Sequence, residues 1–220
     1  MVALFCYTLA ILLHSQRYLP PVLLYFVVAA AFVHGDPNQP ALPIFGVLAA
    51  ATVVLAAWLT VVLIAAEDPV QRAITVVNAG RSWRVLVAAV SVVLAWCAVL
   101  SAVVLAVPVV FGFRGITGLD VLAGAEGLLT GACAGTAIGL VTSRLVIRRP
   151  GYGLLATLLL LPLFVLVHGI PPVNPVVTLL IHTTSATAGV IGRTTGCAAV
   201  GAVLLVAGGA VAHVVAGRRD

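Results

Sequence analysis

The chain has 220 residues, of which 63% are hydrophobic and only 8% charged, with a formal net charge of +5 and a mean hydropathy of +1.25. An ordinary soluble domain carries roughly 25% charged residues, and so few charges cannot cover a water-facing surface of this size, so lipid is the expected solvent. All eleven basic residues are arginine, which excludes a P-loop ATPase site in this chain, because that motif needs a lysine to reach the terminal phosphates.

In chain order, the opening stretch "MVALFCYTLAILLH" has no basic n-region and no A-x-A site, so it is expected to belong to the mature protein. Its apolar run, residues 3–13, is too short to span and ends in "HSQR". It reads as an interfacial helix, within residues 1–18, lying along the membrane before Pro20 and Pro21 turn the chain inward.

A spanning helix needs about 20 apolar residues, and the segments 19–34, 43–66, 85–111, 119–143, 152–169 and 196–216 meet or approach that length. With both termini inside, Arg17, Arg72, Arg81, Arg84, Arg144, Arg148, Arg149, Arg218 and Arg219 are cytoplasmic, and only Arg114 and Arg193 lie outside. Such a bias orients both termini to the cytoplasm. The expected architecture is all-α and polytopic, a single transmembrane domain over residues 1–220 with six spans. No 20–50-residue repeat is visible.

The stretch "AAEDPVQRAITVVNAGRSWR", residues 65–84, interrupts this apolar pattern. Asp68 suits an N-cap, Pro69 suits the first helical position, and Gly80 suits a left-handed stop. Val70, Ala73, Ile74 and Val77 follow the i, i+3, i+4, i+7 rhythm of one apolar face. A short amphipathic cytoplasmic helix is expected within residues 67–84. It either rests on the bilayer or docks in a groove on a partner.

Outside, residues 170–195, "IPPVNPVVTLLIHTTSATAGVIGRTT", open with three prolines in five residues and end in a small, hydroxylated tract. They are too short to cross and too apolar for a free loop. A re-entrant or interfacial element is expected, with a plain ordered loop as the alternative.

An interfacial helix, six spans, a capped amphipathic helix between spans two and three, and an outer re-entrant element before span six occur together in one family. The chain resembles the permease subunit of type-2 ATP-binding cassette (ABC) exporters, over nearly its whole length and most specifically in "AEDPVQRAITVVNAGRSWRVLVAAV". The resemblance implies a connecting helix at residues 3–17 and a coupling helix at 68–79. The latter would seat on a separate nucleotide-binding ATPase subunit, with Glu67, Asp68, Arg72 and Arg81 as polar contacts and Val70, Ile74 and Val77 as its apolar face. It also implies a second permease chain, as homodimer or heterodimer, in a bacterial plasma membrane. ATP and Mg would be bound by the partner, so no cofactor, metal, catalytic residue or nucleic-acid partner is expected here. Short outer loops leave the substrate class open.

Among intramembrane ionisable groups, functional candidates by default, Glu126 lies about two turns into the fourth span. It could meet a cationic substrate group or be hydrogen-bonded inside the bundle. His168 and His182 are the other pathway candidates, each readable equally as an interface histidine. His213 lies near the inner end of the sixth span, and Asp120 is expected to be solvated at the outer interface. Gly127, Gly131, Gly135 and Gly139 recur every four residues and predict close helix packing. Cys6, Cys97, Cys133 and Cys197 are scattered and read as small hydrophobes. No HExxH, paired glutamates or intramembrane GxS serves a membrane protease. Two alternatives to the exporter stand: a proton-coupled secondary transporter using Glu126 and His168, and a non-catalytic membrane scaffold.

Overall fold

In a computed structural model, residues 1–33, 40–67, 69–110, 116–147, 150–166 and 172–217 are described. Among them every regular element is a helix: α1 (Val2–Ser15), α2 (Leu19–Val33), α3 (Ala41–Ala66), α4 (Pro69–Ala79), α5 (Ser82–Val110), α6 (Gly118–Thr142), α7 (Pro150–Leu166), α8 (Val173–Ile181) and α9 (Ala188–Gly217). Helix is what lipid demands, since it satisfies every backbone group within its own segment.

Four of these helices, α3, α5, α6 and α9, are long and apolar enough to cross a membrane. At 15 and 17 residues, α2 and α7 fall short of that length. The last long helix starts at Ala188 rather than at 196, so the hydroxylated tract 188–195 forms its first two turns instead of an irregular loop. This stretch is tied to α6 through buried Thr194 and through Thr195, whose hydroxyls both donate to Glu126, a long-range contact that periodicity does not report.

The central contact is between α3 and α6. Their register is set by glycines facing carbonyls. A Cβ built on Gly131 would stand 2.5 Å from the Ala49 carbonyl oxygen, one on Gly139 would be 2.7 Å from that of Ala57, and one on Gly135 would collide with Val53 O. Both partners advance by four residues per rung, so the two helices run parallel with their backbones nearly touching. This is the close approach that small residues permit and that lipid, as apolar as leucine, cannot drive by itself. Threonines inside the bundle satisfy their hydroxyls on their own helix: Thr52 donates to Leu48 O and Thr60 to Ala56 O, each at 2.7 Å.

On the other side of α6 lies α9, with Gly201 against Thr130 and Gly208 against Ala137; these pairs also advance together, so α9 is parallel to α6. The start of α5 meets the end of α9, where Ser82 Oγ and His213 Nδ1 are 3.5 Å apart; α5 therefore runs the opposite way. Its Val92, Val93, Cys97, Leu100 and Val104 are buried. Short α8 packs on α3 and α6 through Val176, Val177 and Leu180. The outward faces of α2, α5 and α9 carry Phe26, Val27, Val99, Val103, Val203 and Val206, all exposed, as suits a surface facing hydrocarbon.

The bundle thus has two distinct ends. One holds α1, α4 and the foot of α5, and there Arg144 Nη1 donates to Ala65 O at 3.3 Å, clasping the ends of α6 and α3. The other holds α8 and the start of α6.

Candidate functional site

At the first end, α4 begins at Pro69 and closes at Gly80, whose φ of 71° is the left-handed stop that glycine adopts without strain. Gly80 N donates to Val77 O at 3.2 Å. Ile74 is 58% exposed and Val77 80% exposed, one turn apart on the same side of the helix. Arg81 is exposed in the turn that follows. The backbones of Val70 and Arg72 belong to α4, while Asp68 and His168 lie outside the described residues.

Glu67 is set apart from these. It is the C-cap residue of α3 and lines a small cavity of about 20 Å³ with Thr8, Leu63 and Leu86. A space of that size admits about one water molecule. The structure therefore leaves Ile74, Val77 and Arg81 exposed and sets Glu67 between α1, α3 and α5.

At the second end, Glu126 bridges α6 and α9. Its Oε1 accepts from Thr195 Oγ1 at 2.8 Å, and its Oε2 accepts from Thr194 Oγ1. Each threonine has a second acceptor, Ile191 O, at 3.0 and 2.8 Å. One hydroxyl proton serves one acceptor at a time, so the carboxylate competes with a backbone carbonyl of α9 for both donors. The group is half-buried, which leaves it a route to a ligand.

Asp120 corrects an expectation. Instead of being solvated it is 4% exposed. Its Oδ2 accepts from Thr117 N and Thr117 Oγ1, both at 2.8 Å, while Asp120 N donates to Thr117 Oγ1 at 3.3 Å. This is a reciprocal capping box at the start of α6. The remaining oxygen, Oδ1, accepts from Ala186 N at 2.6 Å and so holds the turn between α8 and α9. The string "TGLD" at 117–120 carries the box pattern in the sequence; the long-range bond to Ala186 leaves no local signal.

His182 is exposed and caps the end of α8, where its backbone N–H donates to Thr178 O at 3.1 Å. Among the described residues no three His, Cys, Asp or Glu side chains cluster in a way that could hold a metal. The four cysteines are free thiols.

Comparison with protein-family models, with curated proteins and with solved structures finds no match to this chain.

Proposed function

We propose that this chain is the transmembrane permease subunit of an ABC exporter in a bacterial plasma membrane, driven by ATP hydrolysed on a separate subunit. The observation that carries this is α4: a short amphipathic helix held between two long apolar helices, with Ile74 and Val77 exposed at its surface. Such a stripe is what a helix-in-groove contact uses.

The six-span arrangement has support in helix direction. Since α6 and α9 are parallel, the chain between them must return across the whole bundle, and α7 lies in that connection. The opening helices pose a similar demand, which α2 meets by packing on α3. With those two counted as spans, the arginine distribution puts α1 and α4 in the cytoplasm and α8 outside. Closure of two ATPase subunits would push α4. Gly80 passes that displacement to α5 and Glu67 passes it to α3, and the path would open between two permease chains.

The test is purification of the tagged chain in mild detergent, with identification of what accompanies it. A stoichiometric P-loop ATPase is expected. Val77→Asp should remove it, because a charge buried in an apolar contact costs about 2 kcal/mol or more, while membrane insertion stays intact. Normal coupled transport by V77D would sink the docking role.

The threonine-bound Glu126 favours a second function, a proton-coupled carrier, since an intramembrane carboxylate with switchable donors can load and release a proton. Glu126→Gln should then abolish transport in ATP-depleted, energised vesicles. Transport that needs ATP and survives E126Q points back to the exporter.

A further inference from the structure

A groove of about 580 Å³ opens between α1 and α4. Leu4 and Tyr7 line it from α1, Gln71, Ile74 and Asn78 from α4, and Arg84 from the start of α5. Its described lining therefore offers one cationic side chain, two carboxamides, a phenol, the Thr75 hydroxyl and aliphatic surface, and no acidic side chain. The matching occupant is an amphiphile whose head is anionic and rich in acceptor oxygens.

The height of the groove selects among such amphiphiles. Trp83 and Arg84 stand in the first turn of a helix long enough to cross a membrane, with the Arg84 guanidinium carbon 5.9 Å from the Trp83 ring centroid. Tryptophan and arginine at such a boundary mark headgroup level. Val87, one turn further along the same side of α5 as Arg84, is exposed and offers a path for an acyl chain.

We propose that the groove between α1 and α4 holds the headgroup of an anionic phospholipid, its phosphate on Arg84 and the carboxamides of Gln71 and Asn78, with its acyl chains along Val87. Ile74 belongs both to this groove and to the docking face proposed above, but the lipid contacts assigned here, on Gln71, Asn78, Arg84 and Val87, are ones the docking role does not use.

Trp83 is a built-in reporter. With Trp58 and Trp96 replaced by phenylalanine it becomes the only tryptophan. The full chain is reconstituted in vesicles containing a small fraction of brominated phosphatidylglycerol or of brominated phosphatidylcholine, and quenching is compared. Quenching should favour the anionic lipid by roughly fivefold, the factor one arginine contributes near a charged surface. Arg84→Gln should remove that preference and Arg81→Gln should keep it. Ala3→Phe, which fills the groove without touching a charge, should lower anionic-lipid quenching to the phosphatidylcholine level. Equal quenching of the parent by both lipids, as expected if a protein segment fills the groove, overturns the proposal. So does an R81Q effect as large as that of R84Q, the mark of diffuse surface attraction, or a full preference retained in A3F.

Discussion

Asp120 and Glu126 stand about two turns apart on one helix, and their surroundings assign them opposite tasks. Asp120 is buried with four hydrogen-bond contacts, three to the Thr117 cap and one to Ala186. Replacing it with alanine leaves buried N–H groups without an acceptor, which costs about 1–3 kcal/mol. Asp120→Ala should therefore melt at a lower temperature in detergent, with Asp120→Asn between it and the parent. Equal melting of all three would remove the structural role. Glu126 is half-buried and held only by hydroxyls that have another acceptor, an arrangement suited to exchange. The capping half of Asp120's role is legible in "TGLD"; its tether to Ala186 is not, because 66 residues separate the partners. The two threonines opposite Glu126 were hidden for the same reason.

Helices were legible wherever their signals are local. Pro69 and Gly80 bound α4, and the four-residue glycine repeat of α6 marks a packing face; both follow from backbone rules that act within a few residues. The start of α9 was not legible, since "ATAGVIGRTT" has poor helix formers and its ties to α6, from Thr194 and Thr195 to Glu126, span some 68 residues. That glycines differ in consequence is a property of the packed element. Gly135 faces the Val53 carbonyl, while a Cβ at Gly196 meets nothing within 4 Å. Gly135→Ala should destabilise by about 1–3 kcal/mol through overpacking. Gly196→Ala should stabilise by up to about 1 kcal/mol, the helix penalty of glycine. Parallel thermal melts of the two variants decide this, and a G135A protein as stable as G196A would refute the glycine–carbonyl register.

For the whole molecule, composition alone pointed to lipid, and the parallel run of α3, α6 and α9 adds directions that hydropathy does not contain. If α2 and α7 complete six spans, α4 and the turn before α9 lie on opposite sides of the membrane. In a chain with Cys6, Cys97, Cys133 and Cys197 replaced by alanine, Ser185→Cys should react with a membrane-impermeant maleimide in intact cells. Asn78→Cys should react only after permeabilisation. Labelling of both from one side would leave an even number of crossings between them, where six spans require three, and would remove that topology.

The glycine–carbonyl rungs between α3 and α6 bear on motion. Because each rung of one helix is keyed to a backbone oxygen of the other, sliding by a single residue would drive helix backbone into helix backbone. Registry is recovered only after a full four-residue step, about 6 Å, far beyond what thermal shear of packed helices supplies. The pair therefore behaves as one stiff strut about 39 Å long, with Ala65 and Arg144 clasped at one tip and the Asp120 tether at the other. A load applied at the first tip reaches the second as rotation or translation of the strut, with no slack lost between its two halves.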